Sequence, residues 1–112
     1  MFGFSLKDKA KKILENDIGI YKPTPSWLNH IVRKGRPQEY NEYDVAIYFC
    51  MTEWEFNMDH ALQYGDKESK KNCYKRIHSQ IKLLRKIEHL AHQDLPFRVR
   101  IDQIIKKSEE LK

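Results

Sequence analysis

Apolar side chains recur every three or four residues along most of this chain. Residues at that spacing share one side of an α-helix, so the pattern predicts helices rather than strands. Only four Gly and four Pro are present, which leaves few sites for the many tight turns of an all-β fold. The clearest ladder comprises Tyr43, Ile47, Cys50, Met51, Trp54, Met58, Ala61 and Leu62. The sequence therefore predicts an all-α protein.

Capping and breaking residues divide this pattern into separate helices. Asn41 and Asp66 are favourable N-cap residues, and Gly65 suits the end of a helix. At 112 residues the chain is long enough for one packed core. We therefore expect a single domain spanning 1–112, a compact bundle whose helices are joined by short connections. The predicted helices number about five and cover approximately 5–16, 25–34, 42–64, 67–92 and 96–110.

Charge is distributed unevenly along the chain, whose formal net charge is +5. Residues 41–66, which we call the acidic segment, contain six carboxylates and no Lys or Arg. The residues on both sides of this segment carry an excess of bases. Such segregation indicates a surface that attracts an oppositely charged partner.

The predicted helix over 42–64 is apolar on two sides. Besides the ladder described above, Val45, Phe49 and Phe56 fall on nearly the opposite side, with carboxylates at the margins. One interpretation makes this the central helix of the bundle, and a small domain's need for large apolar residues in its core favours it. The other interpretation is an exposed aromatic patch with a carboxylate rim, which is similar to the anchor region of a protein interface.

Cationic side chains line up along the predicted helix over 67–92. They recur at spacings of three and four and lie away from the apolar side of the helix. We call this set the basic stripe; it comprises Lys71, Lys75, His78, Lys82, Lys86 and His89. No acid occurs between Glu68 and Glu88, although surface helices usually alternate charge. The stripe is therefore a candidate site for an anionic partner: nucleic acid, an acidic protein or the chain's own acidic segment.

Two short motifs resemble nucleic-acid-binding elements. The run Arg33-Lys34-Gly35-Arg36-Pro37 is similar to the core of AT-hook peptides, whose arginines lie in the minor groove of DNA. The run over 60–77 resembles a helix-turn-helix, although Lys71 occupies a place where that motif normally buries an aliphatic residue. The residues that this resemblance implies would face DNA are Lys70, Lys71, Asn72, Lys75 and Arg76.

No residue set forms a recognisable catalytic, cofactor or metal motif. His89 and His92 lack a third ligand motif. Cys50 and Cys73 lie in apolar stretches without a neighbouring cysteine, which indicates two buried thiols. The first residues contain no apolar run as long as a secretory signal or a membrane span requires. We therefore expect a cytoplasmic protein without a cofactor or a membrane partner.

These observations favour a non-catalytic binding protein that acts through a protein–protein interface, of the inhibitor, immunity, antitoxin or adaptor kind. Its partner would be a protein, such as a toxin or an enzyme that it inhibits. Electrostatic steering by the acidic segment would precede burial of aromatic anchors. The predicted interface consists of Glu53, Glu55, Phe56, Asp59 and Phe49.

The alternative hypothesis is a helix-turn-helix-like regulator that binds DNA or RNA. It would neutralise phosphates with the basic stripe and with the arginines of the AT-hook-like run. The residues predicted for this role are Arg33, Arg36, Lys71, Lys75, Lys82 and Lys86. A homodimer is a further alternative, because an acidic side and a basic stripe on one chain can pair between two copies.

Overall fold

The computed structural model describes residues 6–20, 40–92 and 94–112. Four α-helices account for most of these residues, and no strand occurs among them. They are α1 (Leu6–Ile13), α2 (Glu42–Tyr64), α3 (Lys67–Leu84) and α4 (Asp94–Ser108). The predicted all-α class is confirmed, with four helices in the described ranges instead of the five expected. The helix predicted over 25–34 lies outside the described residues, as do Arg33 and Arg36.

The amphipathic helix α1 ends in a wider, π-helical turn. Ala10 and Ile13 are its buried residues. The turn spans Leu14–Ile18, and the backbone N–H of Gly19 donates to the Leu14 carbonyl at 2.9 Å. Gly19 has a φ of 88°, a left-handed conformation that residues with a Cβ rarely adopt. The helical conformation therefore continues past its predicted end at residue 16 and stops at this glycine.

A capping box starts α2 and also connects it to a distant part of the chain. The Asn41 side chain accepts from the N–H groups of Tyr43 and Asp44, each at 2.9 Å, and Asp44 accepts from the Asn41 N–H at 2.7 Å. The same Asp44 oxygen accepts from the His92 N–H at 3.0 Å, and the Asn41 amide donates to the Leu90 carbonyl at 2.8 Å. The predicted cap at Asn41 is confirmed, and it holds a remote turn against the start of α2.

The central helix is α2, which packs against α1, α3 and α4. In its N-terminal half both apolar sides are buried, including Val45 and Phe49 opposite the ladder. The large side chains of α2 that are fully buried are Ile47, Met51, Trp54 and Met58. The interpretation of this segment as the central helix therefore holds for its N-terminal half.

The connection from α2 to α3 consists of Gly65 and Asp66. Asp66 caps α3, as predicted, by accepting from the Ser69 N–H at 2.8 Å, and this hydrogen bond lowers the pKa of the Asp66 carboxyl. A Cβ atom at Gly65 would lie 2.6 Å from the Ala61 carbonyl oxygen. The close turn between the two helices therefore depends on glycine at this position.

One row of apolar side chains packs α3 against the rest of the bundle. The buried members of this row are Cys73, Ile77, Ile81 and Leu84. A polar contact reinforces the packing, because the Trp54 indole N–H of α2 donates to the Gln80 side chain at 2.7 Å. At the end of the chain, the 3₁₀ turn Glu109–Leu111 also packs on α3 and buries Leu111.

The periodicity over 67–92 predicted one continuous helix, and this prediction is wrong beyond Leu84. A turn and a short 3₁₀ segment, Glu88–Leu90, follow α3. The Leu90 carbonyl and the His92 N–H bond to the cap of α2 instead of to helical neighbours. Contacts between distant residues therefore replace the last turns of the predicted helix.

The start of α4 lies at Asp94, slightly before the predicted start at 96. Pro96 falls in the first turn, where the missing N–H removes no helical hydrogen bond. The buried apolar residues of α4 are Phe97, Ile101 and Ile104. This helix runs beside α2 in the same direction, since residues that come later in α4 pair with residues that come later in α2.

Replacement of Asp44 by alanine should lower the free energy of unfolding by roughly 1–3 kcal/mol, because the backbone N–H groups of Asn41 and His92 lose a buried acceptor. The matched control is Asp66→Ala, which removes the capping carboxylate of α3 at an exposed position and should have a smaller effect. Urea denaturation followed by circular dichroism measures both changes. Equal losses of unfolding free energy in both variants would show that the hydrogen bond to His92 adds no stability beyond that of an ordinary helix cap.

Candidate anion-binding surface

The basic stripe lies on the side of α3 that faces away from the core. Lys71, Lys75 and Lys82 are exposed, opposite the buried row of the same helix. Lys86 is also exposed, but it lies in the turn after α3 rather than on the helix. Lys67 is exposed one turn before Lys71 and extends the row toward the start of α3. The stripe is therefore accessible, and the acidic segment does not cover it.

The four lysines of the stripe form no ion pair with any residue in the described ranges. The two histidines of the stripe differ from each other. His78 is half-buried, its Nε2 lies 2.8 Å from the Ser108 Oγ, and its ring centroid lies 4.1 Å from that of Tyr74. His89 is exposed in the 3₁₀ segment. The uncompensated positive charge of the stripe is therefore supplied by its lysines.

Two carboxylates of the acidic segment, Glu55 and Asp59, pair with α4 instead. Arg100 donates two hydrogen bonds to Glu55, the one from Nε at 3.1 Å, and Lys107 donates one to Asp59. The bond to Glu55 raises the pKa of Arg100, and the bond to Asp59 raises the pKa of Lys107. The Arg100 guanidinium also lies 5.2 Å from the centre of the Tyr48 ring. These pairs join α2 to α4 and neutralise two carboxylates of the predicted interface.

The structure does not bring the five residues predicted for a protein interface together on one free surface. Phe49 is 3% exposed and lies in the core rather than on the predicted surface. Glu55 and Asp59 are held by cations of α4. Glu53 is half-buried, whereas Phe56 is 59% exposed. Both phenylalanines lie on the same side of α2, but that side is buried around Phe49 and exposed at Phe56.

A row of exposed rings continues along α2 beyond its buried half. Phe56, His60 and Tyr64, which we call the aromatic row, follow one another at intervals of four residues and share one side of the helix. Their ring centroids are 6.4 Å apart for the first pair and 5.2 Å apart for the second. Tyr64 is 70% exposed. Of these three residues only Phe56 belongs to the interface predicted from the sequence, although the regular spacing is a signal for His60 and Tyr64 as well.

A groove of about 390 Å³ lies between α3 and the part of the aromatic row formed by His60 and Tyr64, and Phe56 is not among the residues that line it. Its α2 wall includes Asn57, His60 and Tyr64, and its α3 wall includes Asn72 and Arg76. The amides and the guanidinium group provide hydrogen-bond donors and acceptors along the groove. The groove therefore combines aromatic rings with polar groups, and it depends on the packing of α3 against α2, which the sequence does not reveal.

Cys50 and Cys73 are buried free thiols, as predicted. Burial raises the pKa of both thiols. Cys73 borders the groove, where the neighbouring Arg76 offsets part of that shift. A reactive thiol needs an accessible sulfur and a lowered pKa, and neither cysteine combines the two.

Within the parts of the chain that the structure describes, no group of three or more His, Cys, Asp or Glu side chains is arranged to hold a metal ion. None of the helices in those parts has both the length and the apolar character needed to cross a lipid bilayer. Comparison with protein-family models, with curated proteins and with solved structures finds no match to this chain.

A double-mutant cycle on Glu55 and Arg100 should give a coupling free energy of roughly 0.5–1 kcal/mol, because the pair is doubly hydrogen-bonded and partly buried. The cycle on Asp59 and Lys107 serves as the control, since these more exposed side chains are better screened and should couple more weakly. The variants are Glu55→Gln with Arg100→Gln, and Asp59→Asn with Lys107→Gln. Urea denaturation gives each free energy, and a zero coupling at Glu55 would contradict its pairing with α4.

Proposed function

We propose that this protein binds nucleic acid through the lysines of the basic stripe. The observation that carries the proposal is that these lysines are exposed and form no ion pair with described residues, although the chain contains acids that could have neutralised them. Glu55 and Asp59 pair with α4 instead. Positive charge therefore stays concentrated on one side of α3, where it attracts a polyanion.

The spacing of the lysines suits a phosphate backbone. From Lys71 to Lys82 the stripe covers about 16 Å along α3, at a rise of about 1.5 Å per residue. Duplex DNA presents a negative charge about every 1.7 Å along its axis, so phosphates are available opposite each lysine. Lysine is a flexible point charge and needs no fixed register with its phosphate. Contacts of this kind hold nucleic acid without reading its sequence.

This mode of binding differs from that of the helix-turn-helix motif that residues 60–77 resemble. Lys71 is exposed at the place where that motif buries an aliphatic residue. The turn between α2 and α3 contains only Gly65 and Asp66 among the described residues. The AT-hook-like run over 33–37 lies outside the described residues. The proposal is therefore phosphate contact along the side of α3, without insertion of a recognition helix into the major groove.

A salt series of duplex DNA binding tests the proposal. If each of the four lysines neutralises one phosphate, the logarithm of the association constant should fall with the logarithm of salt concentration at a slope of about −3.6. The double variant Lys71→Gln, Lys75→Gln should bring that slope to about −1.8 and weaken binding, because two counterion-releasing contacts are lost. Fluorescence anisotropy with a labelled duplex measures both quantities.

The matched control for this experiment is Lys9→Gln, Lys11→Gln, which removes the same charge from exposed positions of α1. It should leave the slope close to that of the unaltered protein. Equal losses in both double variants would mean that net charge, and not the basic stripe, determines binding. Absence of binding to both the duplex and single-stranded RNA, even at about 50 mM salt, would refute the proposal altogether.

A second candidate function is the protein–protein interface predicted for the acidic segment, and the exposure of Phe56 favours it. This ring is 59% exposed and is therefore available as an anchor, with half-buried Glu53 nearby on the same helix. The partner would be a protein with a basic rim, such as a toxin or an enzyme that this chain inhibits. A homodimer would instead set the acidic segment of one copy against the basic stripe of another.

Affinity capture from a cell lysate with the full chain tests this second candidate. Phe56→Ala should abolish capture of one protein, whereas Val99→Ala, at a 53% exposed position of α4, should leave the capture unchanged. Light scattering after size-exclusion chromatography checks the homodimer. If both variants captured an identical set of proteins, Phe56 would not be an anchor of a protein interface.

A further inference from the structure

The aromatic row and the basic stripe lie on either side of one strip of polar residues. Asn72 and Arg76 are exposed on the flank of α3 between its buried row and the stripe. Both residues also line the groove, opposite His60 and Tyr64 of α2. An elongated ligand that lies parallel to α3 can therefore contact three kinds of group across its width. These are the aromatic rings on one edge, the hydrogen-bonding groups in the middle and the lysines on the other edge.

This order of groups matches the parts of a single nucleic acid strand. Lysines can pair with phosphates, hydrogen-bond donors and acceptors can contact base edges, and aromatic rings can stack on the flat faces of bases. We infer that the aromatic row is a stacking platform and that the preferred ligand is single-stranded nucleic acid, DNA or RNA, laid along the groove. The inference rests on the proposed function, since the lysines of the stripe hold the backbone in both cases.

The distances between the rings favour a single strand over a duplex. Neighbouring centroids in the aromatic row are 6.4 Å and 5.2 Å apart, wider than the roughly 3.4 Å spacing of bases stacked along a duplex strand. The ring planes also differ by 26° and 53°, so bases that stack on successive rings cannot stay stacked on one another. In a duplex the base faces are already stacked and are not available, whereas an unpaired strand can turn its bases outward.

The exposure of the rings is consistent with a platform that is ready to bind. Phe56 is 59% exposed and Tyr64 is 70% exposed. Other exposed apolar side chains, such as Leu90 and Val99, do not belong to this row. Base–aromatic stacking typically contributes about tenfold in affinity for each base that stacks.

The test compares a labelled single strand of about 20 nucleotides with a duplex of the same length, using the full chain and fluorescence anisotropy. Oligothymidylate and oligouridylate strands form the two single-stranded arms and show whether DNA or RNA binds more tightly. Phe56→Ala, Tyr64→Ala should weaken single-strand binding at least tenfold and change duplex binding less than twofold. Val99→Ala is the control for removal of exposed apolar area, and circular dichroism confirms that each variant stays folded.

Different outcomes refute the stacking platform, the preference for single strands and the assignment of the aromatic row to nucleic acid. If Lys71→Gln, Lys75→Gln weakens binding while Phe56→Ala, Tyr64→Ala changes neither ligand, the proposed function stands and the stacking platform is refuted. If duplex binds more tightly than either single strand, the preference inferred for unpaired strands is wrong. If the aromatic variant binds nucleic acid normally but loses a captured protein, the aromatic row is a protein interface instead.

Discussion

The hydrogen bonds around the Asp44 carboxylate are the interaction on which the rest of this structure depends. Asp44 is 0% exposed, so hydrogen bonds must replace the water that its oxygens lose on folding. One oxygen accepts from both Asn41 and His92, which are far apart in the sequence. The start of α2 and the end of the turn after α3 therefore meet, and α4 begins two residues after His92.

The position and direction of α4 decide how the charges of the molecule are compensated. Because α4 starts beside the start of α2 and runs in the same direction, Arg100 and Lys107 face the carboxylates of Glu55 and Asp59. The bases of α4 thus neutralise part of the acidic segment. The lysines of α3 receive no such partner in the described ranges. The structure therefore compensates two charges of the acidic segment with bases of α4, whereas the lysines of the stripe stay unpaired within the described ranges.

Local features of the fold could be predicted from the sequence, whereas features that depend on distant residues could not. Asn41, Gly65 and Asp66 act through neighbours a few positions away, so their roles at helix ends were predictable. The end of α3 could not be predicted from its neighbours, because Leu90 and His92 form hydrogen bonds with the cap of α2 instead of continuing the helix. Periodicity likewise placed Phe49 and Phe56 on one side of α2 without showing that only the second is exposed.

The unpaired lysines of the stripe connect the fold to the proposed function, because the repulsion between them can be compared with the free energy gained from a polyanion. Like charges at i and i+4, such as Lys71 with Lys75, repel by a few tenths of a kcal/mol in the free protein. Acids that could relieve this repulsion are present but are used to join α2 to α4. A polyanion removes the repulsion and gains counterion release at each contact. In the proposed function, the electrostatics of the stripe would therefore favour the bound state, and the neighbouring aromatic row would add contacts to bases that a phosphate backbone alone does not use.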